Sequence, residues 1–222
     1  MRVFGPLALA FFGVVAGTEG AQARYDAEAV RLNNRGVALM GQQFNERASG
    51  EFAKALQKDP KLAQAAINEG IAMLSLQRLD EAKKYLEQAA TMDPDNPQVW
   101  YNLGLVEHAG NELEAALTSF ERAAKLDPRD ADSYYFQGDC YFEMKQYDKA
   151  IAVLKQALEI DPHHASAVFV SAQALQRSGH KEDATPLFHR FKELTGSKVG
   201  SPIGLAYGEQ GHYSTVTAVE EP

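Results

Sequence analysis

Apolar and polar positions follow two different rhythms along this chain. Val3 to Gly17 is an almost unbroken apolar run behind the single base Arg2, and polar Thr18 to Gly20 follow at once. From Ala29 onward, large apolar residues and alanines recur three apart, as one face of a helix requires. Phe52 and Ala55, Leu86 and Ala89, Phe120 and Ala123, and Leu154 and Ala157 are such pairs, each closely followed by an Asp-Pro step. Proline disfavours helical geometry in the residue before it, so Asp59-Pro60, Asp93-Pro94, Asp127-Pro128 and Asp161-Pro162 each end a helix.

The four prolines stand 34 residues apart, which defines a repeat with its proline at position 32. The repeats are 29–62, 63–96, 97–130, 131–164 and a degenerate 165–196. Position 8 is Gly36, Gly70, Gly104 and Gly138, then Ala172; position 20 is Ala48, Ala82, Ala116, Ala150 and Ala184. Small residues at both positions let the two helices of a repeat, A and B, approach closely. A single helix pair cannot bury its apolar face, whereas stacked pairs bury a continuous core.

The third repeat, with Val99-Trp100-Tyr101-Asn102-Leu103-Gly104 and then Ala116, Phe120, Ala123 and Pro128, resembles the tetratricopeptide repeat family. The resemblance spans about Ala29 to Gly196 and implies an all-α fold, a right-handed solenoid of stacked antiparallel helix pairs. It also implies a ligand groove on the helix A face, at positions 2, 5, 6, 9 and 12. The terminal repeats depart from the pattern, with Asn45 at position 17 of the first and Lys181, Pro186 and Gly196 in the fifth. More polar end repeats are what capping requires.

On that register, position 6 places Asn34, Asn68 and Asn102 in a line along the groove. Each amide offers a donor and an acceptor, which suits an extended peptide backbone. Aromatic residues dominate the later repeats: Tyr101, Tyr135 and Phe169 at position 5, Phe136 at position 6 and Phe142 at position 12. Exposed in a concave surface they would be anchors for a partner, unless neighbouring helices or the chain's own tail cover them. His108 joins them at position 12 of the third repeat, as a group able to tune binding with pH. The basic clamp by which some relatives hold acidic C-termini is excluded, because Asn33, Val37, Asn68, Gln98 and Asn102 stand where it needs lysine or arginine. Asp139 and Glu143 make the fourth repeat acidic, so a neutral or basic, partly apolar peptide is expected.

After Ser197 the helical rhythm stops, and Gly200, Gly204, Gly208 and Gly211 punctuate a segment with a Ser/Thr-bearing end. Residues 197–222 read as a flexible tail or linker, although Tyr207 to Tyr213 is aromatic enough to dock. The tail is also weakly similar to segments that follow repeats in some large bacterial exported proteins. A module of such a protein is therefore the alternative to a free-standing scaffold.

Composition narrows the context. Residues 1–23 are expected to be a signal peptide cleaved after the small-x-small triplet Ala21-Gln22-Ala23, making the protein periplasmic or secreted. The net charge of −8 disfavours nucleic acid and anionic membrane as partners, since both are bound through neutralising bases. The lone Cys140 allows no internal disulfide and sits at a small, buried position. His163 and His164 read as solvated turn residues, no helical metal spacing joins the histidines, and no phosphate loop, dinucleotide fingerprint or nucleophile elbow occurs. The expectation is a protein- or peptide-binding scaffold, not an enzyme, with no cofactor and no metal.

Overall fold

The computed structural model describes residues 25–197, 199–204 and 206–221. The proposed leader and its cleavage site lie outside them. Among the described residues there are ten α-helices and no strand: α1 (Ala27–Gly41), α2 (Asn45–Lys58), α3 (Ala63–Ser75), α4 (Leu79–Met92), α5 (Pro97–Ala109), α6 (Leu113–Leu126), α7 (Ala131–Glu143), α8 (Tyr147–Ile160), α9 (Ala165–Arg177) and α10 (Lys181–Ser197). They form five antiparallel pairs, each packed on the next, so the expected all-α helical-repeat fold is observed. None of the described helices is long and apolar enough to cross a membrane.

Both ends of the repeat carry their own chemistry. At the Asp-Pro steps, Asp59, Asp127 and Asp161 leave helical geometry with ψ of 95°, 91° and 96°. Each aspartate also accepts a backbone hydrogen bond two residues on, from Lys61, Arg129 and His163 at 2.8–3.1 Å. The pair therefore stops helix B and caps the following turn. The next helix A then starts on a side-chain cap at Asn96, Asp130 and His164.

Within each repeat, helix A closes in the left-handed region at Gln43, Gln77, Asn111, Lys145 and Gly179, again 34 residues apart. The accompanying bonds are the paired closure of a Schellman motif, as in Gln43 N to Met40 O (2.9 Å) and Phe44 N to Leu39 O (3.0 Å). Only the fifth repeat uses glycine there. A glycine search along the sequence therefore misses the other four turns.

The glycines at position 8 do different work. A Cβ on Gly104 would sit 2.8–2.9 Å from ring carbons of Phe120, and one on Gly70 would sit 2.6 Å from Leu86 Cγ. Helix B presses its largest apolar side chain into the space that the missing side chain leaves. Gly104→Ala is thus expected to destabilise the protein by about 1–3 kcal/mol through overpacking. Gly50→Ala, on a helix with nothing within 4 Å of the new methyl, is expected to stabilise by about 0.5–1 kcal/mol. Urea unfolding of the two variants side by side checks the contrast, and equal effects would contradict the packing role of position 8.

Candidate functional site

The helix A face holds the chain's own C-terminal segment. Asn68 Nδ2 donates to the Thr217 carbonyl at 2.8 Å, and Asn68 Oδ1 accepts from the Thr217 N–H at 2.9 Å. Asn34 repeats the arrangement on Val219, with 2.7 Å and 2.8 Å. Each amide therefore engages both polar groups of one residue, as a neighbouring β-strand would. One repeat advances the contact by two residues of extended chain, roughly 6.5–7 Å. Asn102 Nδ2 donates to the Tyr213 carbonyl at 2.8 Å, and Gln98 Nε2 reaches the intervening Thr215 carbonyl at 2.7 Å. Contacts therefore proceed from the third repeat to the first as the tail runs from Tyr213 to Val219, opposite to the order of the repeats.

The amides brace each other. Asn68 Nδ2 also donates to Asn33 Oδ1 at 2.8 Å, and Gln64 bridges Asn68 and Gln98 with two bonds of 3.1 Å. Asn33, Asn68 and Asn102 are fully buried. Their orientations are fixed by these bonds, so little side-chain entropy is lost when a backbone docks.

Where the ladder ends, side chains hold the tail differently. Tyr101 is fully buried, and its hydroxyl donates to the Gln210 carbonyl. The ring of Tyr213 lies 5.8 Å from that of Tyr101, and its hydroxyl donates to Asp127 Oδ2 at 2.8 Å. That bond holds the Asp127 carboxyl below its ordinary range. Asp132 accepts from the His212 N–H at 2.9 Å, and Gly211, with φ of 99°, turns in the narrow space between Tyr101 and Asp132. Further along, Ile203 N donates to Ser166 Oγ at 2.8 Å.

The remaining aromatic residues pack against other rings of the solenoid. Phe136 stacks on Phe120 at 5.0 Å and belongs to the core, while Tyr135 is buried against Phe136 and His164. Phe142 packs on Tyr147 of helix B in the same repeat, and Phe169 packs on Phe188 and Phe191 of α10. Of the expected aromatic strip, Tyr101, Tyr135 and Phe136 are buried and only Tyr101 bonds the tail, while Phe142 and Phe169 are half-buried. Position 6 projects into the groove when it is asparagine, but Phe136 gains more by burying its ring. The segment read as a spacer carries aromatic and β-branched side chains that line the groove.

His164 also departs from the solvated reading. It is buried, its Nδ1 accepts from the Ala167 N–H at 3.1 Å as the cap of α9, and its Nε2 lies 3.1 Å from Asp132 Oδ1. The same Asp132 that holds the tail is therefore positioned by the next repeat. Gln64, Asp127 and Asp132 are groove residues that the sequence did not single out, and Gln98 was placed in the groove without a role. Gln64, Gln98 and Asp132 share position 2 of successive repeats, which is the signal that could have found them.

His108 faces Asp139 Oδ2 at 3.3 Å and Glu143 Oε1 at 3.8 Å, a set spanning α5 and one turn of α7. Short contact with Asp139 raises the imidazole pKa above its ordinary value, with burial opposing. The three donor atoms lie within 4.8 Å of each other and are the residues by which the described part could hold a cation. Cys140 is fully buried beside them, and burial pushes its thiol up to about 12, so it is not a reactive thiolate.

Stacked helix pairs of a common 34-residue period, lining a groove with side-chain amides, define an all-α helical-repeat protein. Comparisons with known proteins specify which kind. A tetratricopeptide repeat model matches residues 39–106 and 73–140, and a model of anaphase-promoting complex, cyclosome, subunit 3 matches residues 109–191. The chain contains tetratricopeptide repeats.

Among solved structures, one of MamA matches with a TM-score of 0.70 and 23% identity, over 78% of this chain and 96% of that one. MamA from Desulfovibrio magneticus RS-1 matches with a TM-score of 0.73 and 20% identity, over 78% and 98%. YrrB, described as a tetratricopeptide-repeat protein with an unusual peptide-binding site, matches with 0.66 and 24%, over 78% and 89%. At these identities the likeness establishes the fold. No curated protein matches the chain.

Proposed function

We propose that this protein is an exported scaffold that binds an extended peptide or protein segment in the groove of its A helices. The observation that carries the reading is the two-sided pairing of Asn34 and Asn68 with the backbone of an extended segment. Amides paired in this way recognise main chain, so they accept segments of varied sequence and leave selection to the flanking anchors. The peptide-binding site described for YrrB supports the same use of the fold. Support for export comes from the N-terminal apolar run and Ala21-Gln22-Ala23.

Panning a phage-displayed library of random dodecapeptides on the full chain tests this. Because the chain's own segment lies on these asparagines, the clones recovered are those that outcompete it, and they are expected to be retained at least tenfold better by the wild type than by the Asn34→Ala/Asn68→Ala/Asn102→Ala variant. Clones retained equally by both would move the partner site away from the groove.

A further inference from the structure

The tail is fastened in the groove by contacts of two kinds. Backbone groups of Tyr213, Thr215, Thr217 and Val219 are held by amides, which is compatible with nearly any side chain at those positions. Side chains are sorted more narrowly. Ser214 is buried with its hydroxyl turned back on Gly211, and Tyr213 and Val216 pack against the main core. Val219 packs against the small cluster of Ala29, Ala55, Leu62 and Ala65. By contrast Thr215, Ala218, Glu220 and Glu221 are exposed, and Thr217 is exposed with its hydroxyl accepting from Gln98 Nε2 at 3.3 Å.

We propose that the tail is a resident ligand whose buried side chains state the specificity of the groove: an extended Tyr-Ser-x-Val-x-x-Val segment, which a partner supplies by displacing the chain's own copy. The proposal rests on the peptide-binding reading above and adds to it the kind of segment taken and the competitor it meets.

Each element of that pattern has a seat in the groove. Tyrosine is selected over phenylalanine because its hydroxyl donates to the half-buried Asp127 carboxylate at 2.8 Å, a charge-assisted bond that phenylalanine cannot make. Serine is selected by space, since position 214 is closed over. The two valines fill apolar contacts three residues apart, where a charged side chain would be desolvated without a partner. The direction is set as well, because reversing the strand would exchange N–H and C=O groups against Asn34 and Asn68.

Displacement is built into the connection. The tail joins α10 through a stretch holding Gly200, Gly204, Gly208 and Gly211, and the backbone positions that face the amides alternate with solvent. The covalent tether gives the resident segment an effective concentration on the order of millimolar. A free segment of equal quality therefore binds weakly until the resident leaves, and a partner must exceed it in contacts or in local concentration.

The full chain supplies the test. A fluorescein-labelled synthetic peptide spanning Gln210 to Glu221 is titrated by anisotropy against the wild type, Gly211→Val, Thr217→Pro and Gly211→Val/Asn68→Ala. Gly211→Val places a side chain against Tyr101 and Asp132 at a positive φ, and Thr217→Pro removes the N–H that Asn68 accepts. Both tail variants are expected to bind the peptide at least tenfold more tightly than the wild type, and Asn68→Ala to abolish the gain. A peptide carrying Tyr213→Phe or Val216→Asp is expected to lose at least tenfold on the tail variants. Equal peptide affinity across the wild type and both tail variants would overturn the resident-ligand proposal. A scrambled peptide bound as well as the native one would overturn the stated specificity. Neither outcome alters the panning result, which alone decides whether the groove binds peptides.

Discussion

Replacing Phe120 with alanine is expected to destabilise the protein by about 3–5 kcal/mol. Phe120 is fully buried at the middle of the solenoid. Its ring stacks on Phe136 at 5.0 Å and 9°, meets the edge of Tyr101 at 5.7 Å, and occupies the space above Gly104. Removing it opens a cavity between the third and fourth repeats that glycine cannot fill, and it loosens the ring that supports Tyr213. Because repeats are stable only through their neighbours, a break at the centre separates the stack into two shorter halves. Urea titration followed by helical circular dichroism measures the cost. Leu158→Ala, at a half-buried site, is expected to lose clearly less. A loss at Phe120 below about 1 kcal/mol would show that the neighbouring rings refill the site.

The second large effect depends on pH. Glu69 is 1% exposed, one carboxyl oxygen accepts from Ser49 Oγ at 2.9 Å, and the other has no partner. Burial raises its pKa from 4.5 to about 7, with the Ser49 bond and Arg78 opposing and Glu81 adding to the rise. The folded state therefore holds the proton more tightly than the unfolded chain does. Stability contributed by the neutral carboxyl is fully present below pH 4.5 and is lost as pH rises through 7. Over that window the loss is on the order of 3 kcal/mol, from about 1.4 kcal/mol per pKa unit.

Glu69→Gln keeps the shape, cannot ionise, and is expected to unfold at clearly higher urea than the wild type at pH 8. At pH 5 the two should be nearly equal. Glu107 and Asp130, whose carboxyls burial also pushes up, contribute in the same direction in both proteins. The difference between wild type and variant therefore isolates Glu69. Parallel pH dependence of the two would mean that Glu69 stays neutral, or is solvated, across the range.

The helical architecture was readable from the chain because its determinants are local and recur. A proline every 34 residues fixes where helix B stops, and glycine at position 8 with a large apolar residue at position 24 fixes how the two helices meet. The left-handed turn at Gln43, Gln77, Asn111 and Lys145 was not readable, because no glycine marks it. There the repeat geometry overrides the preference of the individual residue. The asparagine line was legible for the same reason as the fold, since position 6 projects outward in each of the first three repeats.

The aromatic residues were harder to assign. Whether Tyr101 or Phe136 faces a partner depends on which neighbour competes for the ring, and that neighbour, Phe120, lies in another helix. The pairings of Asp127 with Tyr213 and of Asp132 with His212 and His164 join residues 86, 80 and 32 positions apart. No periodicity encodes them, and Asp127 had already been accounted for as a helix stop.

The direction in which the tail runs has a consequence for cooperativity. Helix pairs in a solenoid communicate with their immediate neighbours, so one end can fray while the other stays intact. Here the last residues of the chain return to Asn34 in the first repeat after touching the fourth and third. The fastening crosses three junctions at once, and loss of any repeat beneath it costs the anchorage of all the others. A linear array is thereby turned into a strapped one, in which the two ends share a single fate. Releasing the strap would return each junction to its own local stability.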